Sequence, residues 1–194
     1  MKILKLISTA AATTLLGVAM STSASAADVT FGSPAKFKGT GCPGKSTVEV
    51  VGENTPTLSV LFGQFDAGNG KPSLSGLGRS ACSFAIPVNV LRGFQVSHVT
   101  VDWETFTQGS GQLKRKFFLS GQPWSNKWQA TNLGNGNRTV RDDLLHASLA
   151  TGCNGGRFNI RINSQITANS GSYSAVDSVD LNNRIIFKVK FKKC

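Results

Sequence analysis

Four cysteines, Cys42, Cys82, Cys153 and Cys194, standing 40, 71 and 41 residues apart, constrain this chain more than any other feature. Their meaning depends on compartment, and the first residues supply one. Lys2 and Lys5 precede a mostly apolar stretch from Leu6 to Met20, followed by small residues from Ser21 to Ala27. That is the pattern of a secretory signal peptide. Ser8, Thr13 and Thr14 interrupt the apolar stretch, which falls short of the roughly 20 residues a membrane span needs. Ala24-Ser25-Ala26 places cleavage after Ala26, with Ala27 as the alternative last residue, and leaves residues 27–194 as one secreted domain. No other segment is apolar enough to span a bilayer.

An even number of cysteines beyond an export leader reads as two disulfides. Three connectivities are open, and Cys42–Cys82 with Cys153–Cys194 is favoured because it closes two loops of similar size. Zinc is the competing use of cysteine. No pair has C-x-x-C spacing and only His98 and His146 are available to complete a site, so neither a metal nor a cofactor is expected.

Between the cysteines, short apolar stretches with period-two alternation recur, separated by Gly, Asn and Ser clusters. This predicts an all-β chain, an antiparallel β-sandwich. The expected strands are Ser46 to Val51, Thr57 to Phe65, Cys82 to Val90, Phe94 to Phe106, Gln112 to Ser120, Arg157 to Thr167 and Arg184 to Phe191. In the last of these Ile185, Phe187, Val189 and Phe191 face one way and Arg184, Lys188 and Lys190 the other. Turns are expected at Ala67 to Ser80, Thr131 to Asn137 and Ala168 to Ser172. Thr139 to Ala150 is ambiguous, because Val140, Leu144, Leu145 and Leu149 also have helical spacing.

Gly39-Thr40-Gly41-Cys42-Pro43-Gly44-Lys45-Ser46 fits the phosphate-loop pattern G-x-x-x-x-G-K-[ST] letter for letter. The chemistry of that motif requires a helix after the loop. Thr47-Val48-Glu49-Val50-Val51 alternates and is β-branched, which predicts a strand instead, so the motif is read as a Gly/Pro turn held by Cys42.

The opening Gly39-Thr40-Gly41-Cys42-Pro43, then Leu58-Ser59-Val60-Leu61-Phe62-Gly63-Gln64-Phe65 and Arg79-Ser80-Ala81-Cys82, resemble the secreted proteins grouped as domain of unknown function 4360. Gly93-Phe94-Gln95-Val96-Ser97, Asp102-Trp103, Phe117-Phe118-Leu119-Ser120-Gly121, Gly152-Cys153 and a final strand ending in Cys194 continue the resemblance in the same order. It implies a small secreted, disulfide-held β protein and brings no catalytic residues with it. A strongly basic balance and a single tyrosine, Tyr173, depart from the usual pattern.

The inventory for catalysis is thin. There is no G-x-S-x-G elbow and no H-E-x-x-H motif. His98 and His146 read as structural or surface residues. Asp102 and Glu104, two apart on one strand face, have the spacing of a glycosidase-like pair or a Ca²⁺ site, although solvated surface carboxylates are the simpler expectation. Asp142-Asp143 beside Arg141 reads as a local charge cluster, and Trp103 as core.

Charge is more informative. The sequence carries 21 Lys plus Arg against 10 Asp plus Glu, and removing Lys2 and Lys5 leaves 19 − 10 = +9. Arg184, Lys188, Lys190 and Lys192 share one face of the last strand, Arg157 and Arg161 share a face of another, and Lys114-Arg115-Lys116 form a third cluster. If the first two strands are neighbours, their faces merge into a basic stripe. Such a stripe suits an anionic polysaccharide or envelope surface, with nucleic acid bound nonspecifically. The same lysines also serve to keep an edge strand from pairing with another chain. Trp124 and Trp128 offer stacking surfaces for sugar rings. The expected function is therefore a secreted, non-catalytic binding protein of the cell envelope or extracellular matrix with an anionic glycan as ligand. A secreted effector or toxin-like protein and a carbohydrate-active hydrolase are the alternatives.

Overall fold

The computed structural model describes residues 27–119, 127–144, 152–176 and 184–194. The expected leader, Trp124 and His146 lie outside the described residues. Two antiparallel sheets face each other. Sheet A runs β1 (Val29–Phe31), β6 (Arg79–Val90), β11 (Gly156–Ala168), β8 (Gly111–Leu119), β9 (Gln129–Leu133), with β2 (Ala35–Lys38) also on β6. Sheet B runs β3 (Val48–Val51), β4 (Thr57–Phe62), β13 (Ile185–Lys193), β7 (Phe94–Gln108), β12 (Ser172–Ala175), β5 (Asp66–Asn69), with β10 (Gly136–Asp143) also on β7. No helix among the described residues is long and apolar enough to cross a membrane.

The all-β sandwich with two disulfides is as the alternation and the cysteines predicted, and the cysteine pairing is the favoured one. Ile160, Ile162 and Ile166 of β11 and Leu113 and Phe117 of β8 point inward from sheet A. Leu58, Val60, Val101, Trp103, Ile185 and Phe187 meet them from sheet B. Aromatic contacts join the layers, with Phe84 and Phe187 ring centroids 6.3 Å apart and Trp103 and Phe117 also 6.3 Å. Each fully buried side chain of this size stabilises the fold by about 1.5–3 kcal/mol relative to exposure. Pro87 sits in the middle of β6 without breaking the ladder. Its carbonyl accepts from Gly32 N, so its ring nitrogen faces the gap between β1 and β2, where no ladder bond is made.

The glycine-cysteine opening has a packing reason. Gly41 N donates to Ala81 O at 2.9 Å and Ala81 N donates to Thr40 Oγ1 at 3.0 Å, docking the loop beside Cys82. Gly39 has φ +134°, and a Cβ there would lie 2.2 Å from Ala81 O, so only glycine fits. A three-residue 3-10 turn, Lys45–Thr47, leads straight into β3, and the helix a phosphate loop requires does not follow. At the opposite end of the sandwich, Gly93 N donates to Cys153 O and Cys194 N donates to Gly93 O, both at 2.8 Å. The second disulfide thus clasps the turn between β6 and β7.

In the secondary structure one ambiguity is decided and the expected turns are partly redrawn. Thr139–Asp143 belongs to β10, paired along its length with β7, so the helical spacing of Val140 and Leu144 is not used there. The remainder of that segment, 145–150, lies outside the described residues. Strands also occupy parts of the expected turns, β5 at Asp66–Asn69, β9 at Gln129–Leu133 and β12 at Ser172–Ala175, because neighbouring strands supply ladder partners that local composition does not reveal.

Candidate functional site

The two outward faces differ in how their charges are used. On sheet B, β10, β7 and β13 are adjacent and their outward carboxylates are all paired. Arg141 Nε lies 2.6 Å from Asp102 Oδ1, Lys188 Nζ 3.3 Å from Asp102 Oδ2, and Arg184 Nε 3.2 Å from Glu104 Oε2. His98 Nε2 is 2.9 Å from Asp143 Oδ1. Asp102 is only 4% exposed, so the solvated carboxylate expected from sequence is in fact covered by its two cations.

The Arg141 guanidinium hydrogen-bonded to Asp102 holds its carboxyl below the ordinary carboxylate range; burial opposes this and Lys188 reinforces it. A glycosidase general acid needs the opposite shift. Because the folded pKa lies below the unfolded one, the stability this carboxylate contributes is complete above the unfolded value, about 3.9. It is lost as pH falls through the folded value. Asp102→Asn is therefore expected to be less stable than the parent near neutrality and to converge on it in acid. Urea midpoints measured along the acid limb check this, and a gap that stays constant down to the lowest pH rules out the pairing as its cause.

Between the sheets lies a polar contact that the sequence reading missed. Arg115 points inward from β8 and makes a two-bond fork with Asp142 of β10, Nε to Oδ2 and Nη2 to Oδ1, each 2.8 Å. Trp103 Nε1 donates to the same Oδ2 at 2.8 Å, and Arg115 Nη1 donates to Leu113 O and Thr131 Oγ1. Both charged residues are 3% exposed. The signal was present in the alternation, since Leu113, Arg115 and Phe117 share one parity while Lys114 and Lys116 share the other. Adjacent basic letters are not one cluster on a strand.

The outward face of sheet A has a different character. None of its strands contains an aspartate or glutamate; the strand carboxylates Glu49, Asp66, Asp102, Glu104, Asp142 and Asp143 all belong to sheet B. On β11 the outward residues are Arg157, Asn159, Arg161, Asn163, Gln165 and Thr167. Across the strands Arg161 stands opposite Phe118, Asn163 opposite Lys116, and Gln165 opposite Lys114. Lys116 Nζ sits 4.9 Å from the Phe118 ring centroid. Among the described residues, no ion pair reaches Arg157, Arg161, Lys114 or Lys116.

The sequence-predicted binding residues therefore divide. Arg157 and Arg161 lie on sheet A, whereas Arg184, Lys188 and Lys190 lie on sheet B, so the two strands are not neighbours and their faces do not merge. Lys114 and Lys116 are the residues that join Arg157 and Arg161. Trp128, 51% exposed, immediately precedes β9 at the margin of the same sheet. Position also separates the two explanations of the lysines. Val189 N still donates to Pro56 O at 2.9 Å, but residues 190–193 of β13 pair only with β7, so Lys190 and Lys192 guard an open edge. Arg161 and Lys114 are paired on both sides, Arg161 with Ala85 and Phe118, Lys114 with Gln165 and Ala130, so no edge needs guarding there; Lys116 pairs with Asn163 alone, one residue beyond the last β9 pair at Arg115.

A family described as Domain of unknown function (DUF4360) matches residues 33–194. A protein of the fungus Arthroderma benhamiae, described as an uncharacterized secreted protein, is 25% identical over 169 residues, covering 81% of this chain and 69% of that one. Among solved structures, TmCBM61 in complex with beta-1,4-galactotriose is similar with a TM-score of 0.32 and 11% identity, over 82% of this chain and 88% of that one. A CBM4 structure is similar with a TM-score of 0.29 and 14% identity, over 88% and 100%.

Proposed function

The chain belongs to the DUF4360 family, and from that premise we propose that it is a secreted, non-catalytic glycan-binding protein of the cell envelope or extracellular matrix. Its ligand in this reading is an acidic polysaccharide held on the outward face of sheet A. One observation carries the reading: Arg161 and Lys114 stand at positions paired on both sides, with Lys116 beside them, in a sheet whose strands have no carboxylate. Lys114 and Lys116 stand roughly 7 Å apart along β8. Like charges so placed repel, and an anionic ligand relieves the repulsion. The amides of Asn163 and Gln165 each offer donors and an acceptor, which suits sugar hydroxyls set between acidic groups. Phe118 is the one aromatic ring among the outward residues of β8 and β11, so these two strands by themselves offer no row of rings on which nucleic-acid bases would stack. Export is supported by the leader pattern, the two disulfides and the secreted relative.

The test compares two charge reversals of equal size on opposite faces. Lys116→Glu with Arg161→Glu is expected to weaken retention on an immobilised acidic polysaccharide by at least about tenfold at low salt. Lys190→Glu with Lys192→Glu is expected to change it by no more than about twofold, the share owed to net charge. Equal losses from both pairs would reduce the interaction to generic charge, and preferential retention on single-stranded nucleic acid would replace the glycan as ligand.

A further inference from the structure

We propose that the loop from Gly70 to Gly78, joining β5 to β6, is a peripheral anchor for an anionic lipid surface. Leu74 and Leu77 enter the headgroup region, and Lys71 and Arg79 meet the anionic headgroups. The loop is held in one shape. Asp66, fully buried, accepts from Leu74 N at 2.6 Å and from Ser75 N at 2.9 Å, and Ser75 Oγ donates to Asp66 O at 2.7 Å. Gly68 N donates to Leu77 O at 2.8 Å, and Ala168 N donates to Gly78 O at 3.1 Å. The chain wraps so closely that a Cβ on Gly68 would approach Lys71 O to 2.3 Å.

This fixed backbone displays Leu74 at 62% exposure and Leu77 at 42%. The internal bonds fix the backbone, so both leucines are presented on one rigid loop. Its neighbours share the same end of the sandwich and are tied to one another. Asn169 N donates to Ser110 O, Ser110 N to Ser172 Oγ, and Gly109 N to Asn135 Oδ1. None of the connecting segments at this end, residues 70–78, 109–110, 134–135 and 169–171, contains a carboxylate, and Asp66 beneath them is enclosed. Among the described residues no ion pair reaches Lys71 or Arg79, the cations on either side of the two leucines in sequence, and exposed leucines with unpaired cations are the combination that favours an anionic membrane interface. A stable protein partner needs about 800 Å² a side with complementary shape. A lipid surface demands no such complementarity.

The test is co-sedimentation of the signal-free protein with vesicles of phosphatidylcholine alone and of phosphatidylcholine mixed with phosphatidylglycerol. The protein is expected to bind the mixed vesicles and not the neutral ones. Leu74→Ser with Leu77→Ser is expected to lower that binding at least about tenfold. The variant should keep the thermal midpoint of the parent and its retention on acidic polysaccharide, which separates this surface from sheet A. Failure of the parent to bind the mixed vesicles would overturn the proposal, as would equal binding by the variant, which would assign the attraction to charge alone.

Discussion

Asp142→Ala is expected to destabilise the protein by about 3–5 kcal/mol, because it strands a guanidinium between the two sheets. Arg115 has its donors committed to Asp142, Leu113 O and Thr131 Oγ1 in a site that water does not reach. Trp103 loses its indole partner in the same step. A loss of this size is a large fraction of the roughly 5–15 kcal/mol by which domains are normally stable. The contact is expected to matter more for its pairing than for its charge. Replacing both partners by apolar residues of similar volume, Arg115→Met with Asp142→Leu, should recover the part of the loss owed to the stranded guanidinium, while the unpaired Trp103 indole N–H keeps a cost of about 1–3 kcal/mol. Denaturant midpoints of the parent, the single variant and the double variant decide this. A single variant within about 1 kcal/mol of the parent would mean that Arg115 finds water or another acceptor.

The second large effect concerns the disulfides, whose environments differ. Cys42 and Cys82 are fully buried, whereas Cys153 and Cys194 are exposed. Access limits thiol–disulfide exchange, so a mild reductant is expected to open Cys153–Cys194 while Cys42–Cys82 survives in the folded protein. Alkylation followed by mass mapping reads this directly, and labelling of Cys42 or Cys82 first would contradict it. Removing the inner bond by Cys42→Ala with Cys82→Ala is expected to cost about 4 kcal/mol, the chain-entropy value for a loop of this length. The buried position matters as well, because Gly39 to Gly41 packs against Ala81 beside the bond and the loop loses its covalent hold.

How much of the fold and the site is legible in the letters depends on the residue. Ile185, Phe187 and Val189 alternate with cations so regularly that β13 and its buried face can be read directly. The strand at Gly136–Asp143 is obscured because Arg138, Thr139, Arg141 and Asp143 are not buried and only two inward side chains, Val140 and the paired Asp142, stand between them. Short strands such as Ala35–Lys38 and Asp66–Asn69 have no periodic signal long enough to detect, and exist because a neighbouring ladder receives them. Asp102 and Arg141 are 39 residues apart in sequence, and nothing local announces that one covers the other.

The sequence by itself determined the all-β class, the two faces of the long strands and the excess of positive charge, since alternation and composition are properties of the chain. Four cysteines also narrowed the crosslinks to three possibilities, with the observed one favoured. Only the tertiary structure decided which cations are free. It placed β13 beside β7, where Asp102 and Glu104 take up Lys188 and Arg184, and placed β11 between β6 and β8, where no carboxylate is within the sheet. The physical reason is that charge neutralisation depends on separation in space and falls steeply with distance in water and salt. Which residues become neighbours is set by strand order, and strand order follows from how two sheets jointly bury their apolar faces.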